Sequence, residues 1–188
     1  MITYQVQIVL KKVTPKIWRR LLIPSDMLLS DFHKIIQTSM GWTNSHLHQF
    51  IRDETFYTHR IEEDDFWEEM RNVDYKDMRI SDLLENEKEK IVYEYDFGDG
   101  WEHDIILEKI ITDDSPVTGP TCIAGKMNCP PEDCGGPWAY PDLLTILKNP
   151  KHKKYQGIVE WIGEPFDPEY FNKDEVNKLL KKRNFGCG

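Results

Sequence analysis

Long apolar runs, an excess of basic residues and closely paired cysteines are all missing from this 188-residue sequence. No apolar stretch approaches the roughly 18 residues that a membrane-spanning helix needs. The 24 Lys and Arg residues are outnumbered by 33 Asp and Glu residues, which gives a formal net charge of -9. This balance argues against a protein that coats nucleic acid, because such a protein needs a broad basic face. Repeats and low-complexity segments are also absent.

The sequence does contain enough apolar material for a folded core. Hydrophobic residues make up 39% of the chain and aromatic residues 12%, which excludes a disordered protein. The length suits one sizeable domain better than two, so we assign residues 1–188 to a single domain. The first residues enter a strand pattern without a basic and apolar leader. We therefore expect a cytoplasmic protein without membrane association, whose four cysteines are mostly reduced.

The charge is distributed unevenly along the chain. Residues 1–52 carry seven basic and two acidic side chains, and residues 148–188 carry nine and six. Residues 53–147 between them are strongly acidic. One interpretation is that these are solvated faces that keep the protein soluble. The other is that the basic ends contact the acidic middle, within one chain or between subunits.

Hydrophobic periodicity predicts an α+β fold in which antiparallel β-hairpins form a sheet, with helices packed on it and a helical C-terminal third. The predicted strands are 2–13, 17–23, 46–52, 55–60, 91–97 and 101–112, and the predicted helices are 30–40, 80–84, 138–147, 152–162 and 174–182. We expect an acidic loop insertion at 61–78, which is the alternative place for a domain boundary. Residues 113–136, rich in Pro, Gly, Cys and Asp, predict an ordered loop, and residues 186–188 a loose tail.

The pair His46 and His48 is the first candidate site. On a strand, side chains two residues apart share a face, so both imidazoles could bind one metal ion. His103 lies at the start of another predicted strand and could be a third ligand. The alternative is that the two histidines are polar residues on an edge strand.

Cys122, Cys129 and Cys134 fall within 13 residues of a Pro- and Gly-rich segment. They could bind zinc, although the spacing matches no standard zinc motif, or form a disulfide. They could equally be small apolar residues of the core.

Trp18, Arg19 and Arg20 form the third candidate, since an arginine stacked on an aromatic ring can hold a phosphate or carboxylate. Such arginines also pair with the protein's own carboxylates. No pairing of a nucleophile with a base is visible, so an enzyme is not favoured.

Several segments together resemble the plasmid open-reading-frame-three-like family, also labelled an insertion-element passenger or TnpR-type family. They are Pro15 to Arg20, Phe32 to Phe50, Tyr95 to His103 and Cys129 to Gly136. The resemblance implies an α+β domain with no established biochemical role and a possible association with mobile elements. It also implies that the family motifs form one polar site, flanked by Trp18, Trp42 and Trp101, from His33, His46, His48, Asp96, Asp99, His103, Glu132 and Asp133.

These observations favour a binding or interaction module, whose partner would be another protein or a second copy. One alternative is a zinc-dependent hydrolase with His46, His48 and His103 as ligands and Asp99 or Glu132 as base. The other is a nucleic-acid-binding accessory protein that uses the basic N-terminal strands.

Overall fold

One eight-stranded sheet runs through the computed structural model, which describes residues 2–59, 71–112, 117–163 and 165–187. The strands are β1 (Thr3–Leu10), β2 (Trp18–Pro24), β3 (His48–Arg52), β4 (Thr55–Thr58), β5 (Asn72–Asp74), β6 (Lys90–Tyr95), β7 (Trp101–Ile111) and β8 (Thr121–Lys126). The helices are α1 (Leu29–Met40), α2 (Gly136–Leu147), α3 (Tyr155–Ile162) and α4 (Lys173–Leu180), with 3₁₀ turns at Ile80–Asp82 and Arg183–Gly186. None of the described helices is long and apolar enough to span a bilayer.

The strand order is β5-β4-β3-β6-β7-β1-β2-β8, and every pair is antiparallel except β4 with β5. This confirms the α+β class and the predicted hairpins. In β7 the predicted inward face, Trp101, His103, Ile105 and Leu107, is buried throughout. Packed on the sheet, α1 buries Phe32, Ile35, Ile36 and Met40 and ends at Gly41, whose φ of 103° suits glycine.

Three predictions about irregular segments need correction. The predicted loop 113–136 contains β8, a strand at the edge of the sheet, and the start of α2. Residues 72–74 of the predicted acidic loop form β5, while its residues 61–70 lie outside the described part of the chain. The predicted loose tail holds the end of a 3₁₀ turn and the buried Cys187. The single-domain division stays a prediction.

The basic N-terminal segment pairs with the acidic middle of the chain. Both Lys11 and Lys12 contact Glu102 on β7, at 2.6 and 2.5 Å. The guanidinium of Arg20 on β2 binds Glu108 through two hydrogen bonds of 2.6 and 2.7 Å. Strand order explains both contacts, since β1 lies between β2 and β7. The interpretation that basic and acidic segments meet within one chain is therefore confirmed for this end.

Arg19 is the buried counterpart of Arg20, with only 2% of its surface exposed. Its guanidinium donates to the carbonyl oxygens of Ser39, Trp18 and Lys126, at 2.7, 2.8 and 3.0 Å. Burial lowers the pKa of this group, but arginine stays protonated in proteins. The end of α1, β2 and β8 are thereby tied to one buried cation.

The same guanidinium lies 4.5 Å from the centre of the Phe171 ring. Gly125, the partner of Arg19 on β8, has no room for a side chain, because an added Cβ would come within 2.5 Å of the Phe171 ring. The edge of β8 is closed by Asn177 of α4, whose amide donates to the carbonyl of Cys122 and accepts from its N–H, both at 2.8 Å. These contacts fix the C-terminal segment on the edge strand.

We expect Arg19→Leu to lower the free energy of unfolding by about 3 kcal/mol or more, because three buried carbonyls lose their donor. Arg19→Lys should recover part of this loss, since one ammonium cannot reach three acceptors in a fork. The matched variant Arg20→Leu should cost no more than about 1 kcal/mol, because its ion pair is partly exposed. Urea unfolding measures all three, and equal losses for the two leucine variants would contradict this account.

Candidate functional site

Three loops meet beside the open ends of β3, β6 and β7. They are residues 41–47 after α1, the turn 96–100 between β6 and β7, and residues 127–135 between β8 and α2. The indole of Trp42 donates to the carbonyl of Pro130 at 2.9 Å, and the N–H of Asp96 donates to the carbonyl of Leu47 at 2.9 Å. Further hydrogen bonds of Glu132 and Asp99 join the third loop to its neighbours. The arrangement brings together residues that are far apart in sequence.

Glu132 and Asp99 brace these loops. The two carboxylate oxygens of Glu132 accept from the Tyr95 hydroxyl at 2.5 Å and from the Thr43 hydroxyl at 2.5 Å. Asp99 accepts from the N–H of Gly135 at 3.2 Å. Gly136 packs so closely on the Asp99 carbonyl that an added Cβ would lie 2.1 Å from its oxygen. Both carboxylates are thus engaged in positioning the backbone.

His46, Asp96 and Asp133 contribute one side chain from each loop to a common point. The Nε2 atom of His46 lies 3.4 Å from Asp133 Oδ1 and 3.7 Å from Asp96 Oδ2. One ligand atom from each of the three falls within 4.8 Å of the other two, and no other group of three His, Cys, Asp or Glu side chains in the described residues does so. The buried Nε2 atom makes no hydrogen bond with any residue that the structure describes.

The backbone at both aspartates is held in an unusual conformation. Asp96 has φ of 58° and Asp133 has φ of 59°, in the left-handed region that L-residues rarely occupy. In the turn, Asp96 Oδ1 accepts from the N–H groups of Gly98 and Asp99, at 3.0 and 3.2 Å. Its second oxygen, Oδ2, is the one that faces His46.

His33 and His48 form a stacked pair under this site. Their ring centroids are 3.4 Å apart and their planes differ by 3°. His33 Nε2 lies 2.6 Å from Asn44 Oδ1, and His33 Nδ1 lies 2.8 Å from the Tyr93 hydroxyl. Both hydrogen bonds form when the ring proton is on Nε2, because Nε2 then donates to Asn44 and Nδ1 accepts from Tyr93. His48 Nε2 bonds the Tyr75 hydroxyl at 2.7 Å. Burial lowers the pKa of His33 to about 4 and, with the neighbouring His33, that of His48 to about 3.

His103 is completely buried on β7. Its ring meets the edge of Trp42 with centroids 5.2 Å apart, and Nδ1 lies 3.3 Å from the Tyr93 carbonyl. Burial lowers its pKa to about 3. This histidine is a neutral member of the core.

The three-histidine metal set predicted from the sequence is therefore wrong, because His46, His48 and His103 do not place their nitrogens together. The shared-face argument fails because β3 begins at His48. His46 precedes the strand and points to the carboxylates, whereas His48 stacks on His33.

The cysteines form no such set either. All four are free thiols. Burial raises the pKa of Cys122, that of Cys134 to about 12 and that of Cys129 well above its ordinary value. The structure favours packing over metal binding or a disulfide for Cys122, Cys129 and Cys134.

The predicted aromatic and arginine residues split into two groups. Trp42 and Trp101 are 6% and 1% exposed and lie with ring centroids 5.9 Å apart below the site loops. Arg20 lies over Trp18, 5.2 Å from the ring centre, and pairs with Glu108. Because Arg19 is buried and Arg20 is paired, the ligand contact predicted for them is replaced by structural contacts.

Sequence reasoning missed a cleft beside the three loops. It has a volume of about 390 Å³, with Thr43, Glu132 and Asp133 on its polar side and Trp161, Ile162 and Phe166 among its apolar lining. Trp161 is half exposed there, with 47% of its surface accessible, which the sequence alone does not show. Asp133 belongs to both the cleft and the group of three.

The buried histidines predict acid lability. His33, His48 and His103 are neutral in the fold, while in the unfolded chain each binds a proton below about pH 6.5. Stability is therefore complete above that pH and is lost as the pH falls from 6.5 toward 4, by about 1.4 kcal/mol per histidine for each pH unit. We expect His48→Gln to reduce the pH slope of the free energy of unfolding by one proton.

Urea unfolding at several pH values tests this slope. His152→Gln, in the turn before α3, makes the same exchange at a half-buried position and is the matched control for the substitution itself. Identical slopes for the wild type and His48→Gln would refute the assignment.

Comparison with known proteins identifies the group to which the chain belongs. The family model described as plasmid pRiA4b ORF-3-like protein matches residues 2–175. The uncharacterized protein y4hQ of Sinorhizobium fredii (strain NBRC 101917 / NGR234) is 35% identical over 178 residues, covering 94% of this chain and 89% of its own length. The crystal structure of the protein of unknown function MM3350 from Methanosarcina mazei Go1 matches with a TM-score of 0.81 and 35% identity, over 93% of this chain and 97% of that one. The chain is therefore a member of the plasmid pRiA4b ORF-3-like family.

Proposed function

We propose that this protein is a binding module that holds one divalent transition-metal ion through His46, Asp96 and Asp133 and presents it to a ligand from solution. The observation that carries the proposal is the convergence of one imidazole nitrogen and two carboxylate oxygens, within 4.8 Å of one another, from three separate loops.

The distances support one shared ion. With bonds near 2.1 Å, a tetrahedral arrangement places neighbouring ligand atoms about 3.4 Å apart. The two distances from His46 Nε2 are 3.4 and 3.7 Å. They are long for hydrogen bonds to a carboxylate, which are about 2.8 Å. Small side-chain movements would bring all three atoms to bonding distance of one ion.

The chemistry of the donors supports a borderline metal ion. One imidazole and two carboxylates suit zinc, iron(II) or manganese(II), whereas soft ions prefer thiolates. Residues 41–51, 96–108 and 127–147, which carry the site, contain no Lys or Arg. A bound cation would therefore offset the repulsion between the two aspartates.

An open coordination position would connect the metal with the cleft. The Asp133 side chain is 70% exposed, so the bound ion would be accessible from solution. A ligand donating an oxygen or nitrogen to the ion could place its apolar part against Trp161, Ile162 and Phe166, which line the cleft. This combination of a polar anchor and an apolar wall is typical of small-molecule sites.

The two alternative functions receive less support. Asp99 and Glu132, the predicted bases of a hydrolase, are engaged in loop-bracing hydrogen bonds. The N-terminal cations of a nucleic-acid surface pair with the chain's own carboxylates. We also place the protein in the cytoplasm, which the four free thiols support.

Isothermal titration of chelator-treated protein with zinc and with manganese tests the proposal. We expect one site per chain and a rise in the thermal midpoint, because a metal bound only by the folded state stabilises it. Each of His46→Gln, Asp96→Asn and Asp133→Asn should weaken binding more than about 100-fold, since even partners outside the coordination sphere commonly contribute 10- to 100-fold.

Two controls match these substitutions in chemistry. Asp77→Asn removes an exposed carboxylate and His59→Gln a mostly exposed imidazole, both outside the group of three. Both should bind the metal as the wild type does. Absence of binding to the wild type, or equal affinity for Asp133→Asn and Asp77→Asn, would overturn the proposal.

A further inference from the structure

The basic residues of the C-terminal part differ from those of the N-terminal strands. Nine Lys and Arg side chains follow residue 147, and none forms an ion pair with a carboxylate among the described residues. Four of them, Lys148, Lys151, Lys153 and Lys154, lie at the end of α2 and in the turn before α3, and all are exposed. Residues 143–154 contain no acidic side chain. The positive charge at this end of α2 lacks a partner in its own segment.

The opposite end of α2 is apolar and acidic. Trp138 is 81% exposed, the highest value among the exposed large hydrophobic residues. Asp142, one turn further on, is also exposed and forms no ion pair with a described residue. An indole so open to water is costly, and exposed aromatic residues commonly mark interaction surfaces.

These residues form one continuous stripe along α2. Trp138, Pro141, Asp142, Thr145 and Lys148 are spaced by three and four residues, and all five are exposed. Residues at these spacings share one face of a helix. The stripe therefore runs from an aromatic ring, through a carboxylate, to a lysine.

We propose that this stripe is the interface for a second copy of the same chain, with the two α2 helices packed antiparallel about a two-fold axis at Thr145. In this register Asp142 of each copy faces Lys148 of the other, because both lie three residues from the axis. Trp138 faces the lysine-rich turn of the other copy. The proposal is independent of metal binding.

Self-complementarity is the reason to choose a second copy over a different partner. A two-fold interface uses the same patch on both subunits, so the patch must carry both halves of each contact. The α2 stripe does this, with a carboxylate and a lysine placed symmetrically about its centre. The pairing also covers the indole, brings it close to ammonium groups and opposes the two helix dipoles.

Charge exchange tests the register directly. Asp142→Lys places lysine against lysine and Lys148→Asp places aspartate against aspartate, so each variant should weaken the dimer at least about tenfold. The double variant, Asp142→Lys with Lys148→Asp, restores opposite charges and should recover the wild-type affinity. An equimolar mixture of the two single variants should likewise form heterodimers. Sedimentation equilibrium at about 0.1 M salt measures each, because higher salt screens the contact.

Two further variants complete the experiment. Trp138→Ser should weaken the dimer without changing the charge. Lys178→Asp, on the exposed part of α4, makes the same charge change as Lys148→Asp and should have no effect. A wild type that stays monomeric at about 100 µM, or a double variant as weak as the single ones, would overturn the proposal, since specific dimers of standard size associate below this concentration.

Discussion

The rest of the structure depends on a cation buried among backbone carbonyls. Removing the Arg19 guanidinium from water is unfavourable unless its N–H groups find acceptors, and the three acceptors come from the end of α1, from β2 and from β8. Two of these acceptors lie just before loops that carry residues of the group of three. Ser39 lies two residues before the loop 41–47, and Lys126 directly precedes the loop 127–135. The buried charge therefore fixes the points from which the loops of His46 and Asp133 depart.

The third loop is positioned by the sheet itself. The turn that carries Asp96 joins the paired strands β6 and β7. The hydroxyl of Tyr95, at the end of β6, donates to Glu132 on the neighbouring loop. The left-handed backbone at Asp96 and Asp133 costs about 1 kcal/mol or more at each residue. Such conformations persist where the surroundings determine them, and here the surrounding hydrogen bonds leave Asp96 Oδ2 directed at His46.

Period-two patterns in the sequence were sufficient for the hairpins and for the buried face of β7, because local alternation and core burial coincide there. They were insufficient for β8, whose residues 121–126 show no alternation and are held by pairing with β2. His46, Asp96 and Asp133 were all among the candidates from the sequence, but the sequence did not show that these three side chains meet. Which histidine faces the carboxylates depends on where β3 begins, because His46 precedes the strand whereas His48, on the strand, stacks on His33.

The histidines show how burial divides one residue type between two roles. His33, His48 and His103 lie where desolvation keeps them neutral, and each has at least one ring nitrogen beside a hydroxyl, amide or carbonyl oxygen. His46 lies where its Nε2 faces the carboxylates of Asp96 and Asp133. That nitrogen and the two carboxylates come from three loops that contain no Lys or Arg. The charge of the two aspartates is therefore not offset within these loops, and a cation from solution bound between them would reduce their mutual repulsion.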